Sequence, residues 1–159
     1  MSANFNHFGI AVSDINKSTH FFERVFGFEV IQSRNASHEY LGRLVGCTKV
    51  EAAINMLRID ENSLLEIIQW STDGLRSTNP MNDLAIYDVG AQHLCLNTSD
   101  ASVLYSLLTQ EEVTFLSDGP IEVLHGPNEG AKVFFVKVFG NLFIEIFEKP
   151  KLNIVKIID

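Results

Sequence analysis

The stretch "HFGIAVSDINKSTHFFERVFGFEV", His7 to Val30, decides how this chain is read. Its opening, "HFGIAVSD", alternates as a strand does, and a strand is expected over 5–12. Phe8, Ile10 and Val12 fall on one face, His7, Gly9 and Ala11 on the other. Asp14 then offers a carboxylate to free helix N–H groups. Ile15, Ser18/Thr19, Phe22 and Val25/Phe26 follow at helical spacing over 15–26, and Gly27 supplies a left-handed stop. "FEVIQSR", 28–34, returns to a strand. A titratable ring therefore opens an apolar strand. The same frame recurs in "HLCLNTSD", His93 to Asp100, at an offset of 86 residues. His7, Ser13 and Asp14 match His93, Ser99 and Asp100.

Working outward, residues 35–49 read as a loop with a short helical turn, and His38, Glu39 and Tyr40 fall in that loop. "VEAAINMLRI" (50–59) and "SLLEIIQW" (63–70) read as strands joined by a "DEN" turn. The polar stretch 71–90, with its Asp, Gly, Asn and Pro, reads as a linker. The order then repeats. A strand over 91–98 precedes Asp100, which caps "ASVLYSLLTQEE" with Val103, Leu104, Leu107 and Leu108 on one stripe. A short strand, a turn, another strand and a Gly/Pro/Asn loop fill 113–130. "AKVFFVKVF" and "LFIEIFE" flank the Gly140-Asn141 turn. The tail 151–159 has alternating apolar residues and is expected as an extra strand at a dimer contact. The whole is strand, helix and three strands, twice over.

Composition bounds what such a chain does. Of 159 residues, 46% are hydrophobic and 12 are Phe, ample for a core and against global disorder. The formal net charge of −8 argues against nucleic acid and anionic membranes, which both demand clustered Lys and Arg. Cys47 and Cys95 form no CxxC and no disulfide framework. "MSANFNHFGI" has no basic n-region or long apolar run. A cytoplasmic protein with reduced cysteines is expected, without membrane or nucleic-acid partners.

Two carboxylates stand out. Glu66 lies in "LLEIIQW" and Glu145 in "FIEIF", in corresponding late strands of the two repeats. Burying an unpartnered carboxylate costs several kcal/mol, roughly, so each must be paired, protonated, metal-bound or open to water. Taken singly, a strand His or Glu is more often structural or solvated. Together the repeat places one His and one Glu from each half in matching strands. Four such groups match a divalent metal site of nitrogen and oxygen donors. Cys95, two residues after His93, would stand roughly 6.5 Å further along the strand, too far to share the ion comfortably.

At these residues the chain resembles the vicinal oxygen chelate superfamily of glyoxalases, bleomycin-resistance proteins and extradiol dioxygenases. Its modules open with His, a short apolar strand, Asp, a helix ending in a Phe-Tyr-like pair, then Leu-Gly-Phe. Phe21-Phe22 and Phe26-Gly27-Phe28 occupy those places, and the likeness runs over about 5–149. It implies an α+β fold: two tandem βαβββ modules, about 5–70 and 91–149, forming an open, cup-shaped mixed sheet within one domain spanning 1–159. It also implies metal ligands at His7, Glu66, His93 and Glu145, and a small-molecule substrate handled by a homodimer.

The His/Glu/His/Glu set resembles bacterial glyoxalase I. Methylmalonyl-CoA epimerases usually carry Gln at the position of Glu66, and extradiol dioxygenases typically use His, His and Glu. The resemblance implies a divalent-metal-dependent lyase or isomerase, with Zn, Ni, Co, Mn or Fe(II) as the ion. Metal-assisted enolisation would follow, with Glu66 or Glu145 taking the proton. A ring-cleaving Fe(II) dioxygenase and a metal-free antibiotic-binding protein are the alternatives. Weaker candidates are His125 in the "LHGPNEGAK" loop, and Arg34, Arg58 and Lys132 for an anionic substrate. The family often has Asp-Pro-Asp-Gly before the last strand. Here Lys137-Val138-Phe139-Gly140-Asn141 stands there, and this rim is expected to contact apolar substrate or a partner subunit.

Overall fold

A computed structural model describes residues 3–72 and 84–150, so the tail 151–159 and residues 73–83 of the expected linker lie outside the described residues. The chain divides into two compact units, Met1–Pro80 and Met81–Asp159. The fold is α+β, with one mixed sheet in each unit. Among the described residues no helix is long and apolar enough to cross a membrane.

In the first unit, β1 (Phe8–Ala11) leads into α1 (Ile15–Phe26), β2 (Glu29–Ala36), α2 (Glu39–Val45), β3 (Glu51–Arg58) and β4 (Leu64–Ser71). The sheet runs β1-β4-β3-β2, with β1 parallel to β4 and the other pairs antiparallel. First and last strands are therefore neighbours. That adjacency puts Gly9 beside Glu66 in register, one step along from His7.

Helix α1 begins as its sequence dictates. Asp14 accepts from the Lys17 N–H at 2.9 Å, and Gly27 closes the helix at φ 68. Ile15, Ser18, Thr19, Phe21, Phe22 and Val25 are buried. They meet Ile10, Leu57, Leu65 and Ile67 of the sheet, of which the last three are fully buried. Each such apolar side chain contributes about 1.5–3 kcal/mol. Thr19 Oγ1 accepts from Asn55 Nδ2 at 2.9 Å, a polar pair between the helix and the sheet.

The segment expected as a loop at His38, Glu39 and Tyr40 is the start of a helix: His38 is the N-cap residue of α2. Leu41 of α2 is buried with Ala36, Val50, Ala52 and Ile54, and Ile68 and Trp70 pack on that cluster. The helix covers one end of the sheet face opposite α1.

The second unit carries β5 (Gln92–Thr98), α3 (Ala101–Leu108), β6 (Thr114–Phe115), β7 (Ile121–Glu122), β8 (Lys132–Val138) and β9 (Leu142–Glu148). The sheet order is β5-β9-β8-β6, and β7 also pairs with β8. Again the first and last long strands are parallel neighbours.

Asp100 caps α3 by accepting from the Ser102 and Val103 N–H groups at 2.9 and 3.0 Å. The helix ends at Leu108, short of the expected run to Glu112. Its buried face also differs from the expected stripe. Ala101 and Leu108 are buried, whereas Val103 and Leu107 are exposed. The apolar run "VLYSLL" fits more than one helical face, and the sheet selected the one bearing Leu108. Val138, placed at the rim by sequence reasoning, is buried in the core on the α3 side of β8.

Candidate metal centre

In each unit the face away from the long helix carries the residues singled out by sequence. On β1 and β4 this face holds Gly9, Leu64, Glu66, Ile68 and Trp70 by strand parity and register, with His7 immediately before β1 continuing the alternation. The parallel pairing of β1 with β4 is what brings an imidazole from the first strand to a carboxylate of the last. His7 Nε2 stands 3.3 Å from Glu66 Oε2. In the second unit His93 Nε2 stands 3.3 Å from Glu145 Oε2. Both carboxylates are largely buried, with side chains 12% and 19% exposed, whereas the rings are 34% and 47% exposed. Each pair thus presents an accessible nitrogen beside a sheltered oxygen.

The 3.3 Å separation is informative. It exceeds the ~2.7–2.9 Å of a charge-assisted N–H···O hydrogen bond. Two donors each about 2.1 Å from one ion lie about 3.0 Å apart at a right angle and about 3.4 Å apart at the tetrahedral angle. Both pairs fall inside that window, so in each unit the two donors are compatible in type and spacing with a divalent ion, as they also are with a direct ion pair. Among the described residues, no three His, Cys, Asp or Glu side chains gather into a group able to hold a metal ion. Each unit offers two donors.

The environments of the two carboxylates differ. His7 Nδ1 lies 2.6 Å from Asn6 Oδ1, and with Nδ1–H donating there it is Nε2 that faces Glu66. Arg34 reaches across from β2, its Nη2 3.5 Å from Glu66 Oε1. Glu66 therefore has an imidazole at one oxygen and a guanidinium at the other. In the second unit Cys95 stands opposite Glu145 in register. Cys95 is an exposed residue, but its thiol is crowded against that carboxylate. Burial, the Glu145 charge and a hydrogen bond to Glu145 push the thiol up to about 11. It is a neutral S–H neighbour of Glu145 near pH 7.

The remaining sequence candidates lie elsewhere. Arg58 is engaged with Glu29 at 2.9 Å. Lys132 pairs in register with Glu148, on the α3 side of the sheet rather than the His93 side. His125 is exposed in the loop before β8. His38 stacks on Tyr40, its ring centroid 5.8 Å away.

Sequence reasoning missed Gln69 and Glu148. Gln69 Oε1 accepts the Ile15 N–H at 2.9 Å, and Glu148 Oε2 accepts the Ala101 N–H at 2.8 Å. Each secures the first N–H of the helix that follows its unit's first strand. The signal was present: both stand three residues beyond the candidate glutamate, in "EIIQ" and "EIFE". Strand parity sends one residue of each pair to the site face and the other to the helix.

The family model for the Glyoxalase/Bleomycin resistance protein/Dioxygenase superfamily matches residues 4–144. The chain belongs to that superfamily. Solved structures agree on the fold. A glyoxalase family protein from Bacillus cereus is 17% identical, with a TM-score of 0.79 over 95% of this chain and 97% of that one. The trypanothione-dependent glyoxalase I of Leishmania major is 16% identical, with a TM-score of 0.59 over 92% and 87% of the two chains. The fosfomycin resistance protein FosX from Listeria monocytogenes, solved with Mn(II) and sulfate, is 14% identical, with a TM-score of 0.53 over 93% of each chain. A search of curated proteins finds no match. At such identities these likenesses establish the fold of this superfamily member and not its reaction.

Proposed function

We propose that this superfamily member is a divalent-metal-dependent lyase or isomerase acting on a small oxygenated substrate, with His7, Glu66, His93 and Glu145 as the metal ligands. One observation carries the reading: the same imidazole–carboxylate pair, at the same 3.3 Å, recurs at matching strand positions in both units. The donor set is two nitrogens and two oxygens without thiolate, which fits Zn, Ni, Co, Mn or Fe(II). When bound, the ion supplies Lewis-acid stabilisation of negative charge growing on a substrate oxygen.

The chain's own residues do the rest. The neighbouring Asn6 amide oxygen orients the His7 ring through Nδ1 and leaves Nε2 to bind the ion. Glu66 and Glu145 each have a second oxygen besides the one facing the ring, and one of the two glutamates takes the proton from the substrate carbon. Arg34 holds positive charge beside Glu66, and in this reading it steadies an anionic substrate group. Cys95 lines the site beside Glu145 and stays protonated.

The test is to screen metal-loaded protein for methylglyoxal–glutathione conversion, acyl-CoA epimerisation and catechol cleavage. Redox-neutral turnover that disappears in Glu66→Gln and Glu145→Gln supports the reading. Oxygen consumption with catechols, or no turnover in any of the three, would remove it.

A further inference from the structure

The second unit holds a cavity of about 530 Å³ that the metal ligands leave unexplained. Its walls include Ile86, Leu116, Ile121, Val133, Phe135 and Phe143. Leu116, Ile121 and the rim residue Tyr87 are among the exposed large hydrophobic residues of this protein, at 41%, 55% and 87% exposure. Apolar side chains left open to solvent around one hollow mark a place where something apolar binds.

Two of the polar side chains in these walls, Ser117 and Lys137, are already engaged. Ser117 Oγ donates to the Gly119 carbonyl at 2.8 Å. Lys137 Nζ donates to the Leu84 carbonyl at 3.0 Å and lies 5.5 Å from the Phe143 ring centroid. That bond ties the wall segment around Leu84 and Ile86 to the sheet. Ala85 and Asp88 tie the segment to itself, Ala85 N–H donating to Asp88 Oδ2 at 2.8 Å. An occupant therefore meets mainly hydrocarbon and aromatic surface.

The cavity also adjoins the candidate ligands. Phe135 stands opposite Glu145 in the β8–β9 register, and Phe143 stands opposite His93 in the β5–β9 register. The His93 ring meets the Phe135 ring edge to face, with centroids 5.8 Å apart. Two walls of the cavity are thus the immediate neighbours of the second imidazole–carboxylate pair.

We infer that this cavity is the specificity pocket of the site. It takes an uncharged apolar group, aromatic or branched alkyl, carried on the substrate next to its metal-chelating oxygens. A methyl group leaves most of a 530 Å³ hollow unfilled, and a cationic group would lose hydration there beside the Lys137 ammonium. The link between pocket and chelating oxygens rests on the proposed metal centre; the pocket itself does not.

Two measurements separate these parts. The first is binding of indole, a neutral probe, by calorimetry or ligand-observed NMR in EDTA. Wild type binds it, and Ala85→Trp, which fills the hollow from the wall segment, weakens binding at least tenfold. Ile121→Trp fills it from β7 and serves if the first variant fails to fold. The second is the affinity of the metal-loaded protein for phenyllactate against lactate, which share the chelating group and differ in the apolar one. Phenyllactate is expected at least tenfold tighter, with the preference lost in the filled variants. Indole binding without any bound metal keeps the pocket and removes the metal reading. Bound metal with no indole binding and equal affinities for the two acids overturns the pocket and leaves the metal.

Discussion

Replacing Glu148 tests how the second unit is built. This carboxylate is buried, 6% exposed, in the last strand. Its Oε2 accepts the Ala101 N–H at 2.8 Å, the first N–H of α3. Asp100 already satisfies the next two, Ser102 and Val103. Glu148→Leu leaves the Ala101 donor orphaned in a buried place, which costs about 1–3 kcal/mol. It also removes a negative charge from a helix N-terminus, a further ~0.3–1 kcal/mol. The total, about 1.3–4 kcal/mol, corresponds to a melting point roughly 3–16 °C lower for a chain of this size. Glu148→Gln keeps an acceptor oxygen, as Gln69 does at α1, and loses only the charge. Its cost is about 1 kcal/mol or less. Thermal melts of wild type and both variants, followed by far-UV circular dichroism at one protein concentration, give the comparison. Leucine and glutamine variants with equal melting points would refute the capping role.

Three other outcomes follow from local geometry. In EDTA, the Cys95 thiol, pushed up to about 11, is alkylated by iodoacetamide slowly at pH 8, where about one thiol in a thousand is ionised, and quickly above pH 11. Glu145→Gln removes a negative neighbour and shifts that rate profile to lower pH; an unchanged profile would contradict the contact. Because the folded state holds this proton more tightly than the unfolded one, the associated stability is present below about pH 9 and is lost as pH rises through about 11. Gly42→Ala places a Cβ against the Cys47 carbonyl oxygen at the end of α2, so it destabilises by about 1–3 kcal/mol, read from urea denaturation.

Much of the fold was legible because local and long-range signals agreed. Asp14 and Gly27 bracket α1, and Asp100 opens α3, with caps whose chemistry is visible residue by residue. The repeated His and Glu frames pointed to two equivalent sheet faces, and parity placed each His and Glu on the same face of its own sheet. What was not legible depends on contacts made at a distance. Helix α2 is short and contains Gly42, so its sequence has weak helical preference, and burial of Leu41 against Val50 and Ile54 decides it. The α3 stripe was misassigned because an almost wholly apolar helix has no face of its own until a sheet selects one. Arg34 reaches Glu66 from two strands away in a register shifted by a bulge between Val30 and Gln32, which no spacing rule anticipates. Residues 84–90, read as linker from their polar neighbours, supply part of an apolar wall through Leu84 and Ile86.

The proposed ligation of a divalent ion by His7, Glu66, His93 and Glu145 is directly measurable. Equilibrium dialysis of the whole chain against Zn, Ni, Co, Mn and Fe(II), with metal quantified by mass spectrometry, tests it on wild type and on His7→Ala, Glu66→Gln, His93→Ala and Glu145→Gln. One ion bound per chain, with affinity reduced about tenfold or more in every one of the four variants, is the expected result. Wild type that binds no ion, or four variants that bind as wild type does, would contradict it.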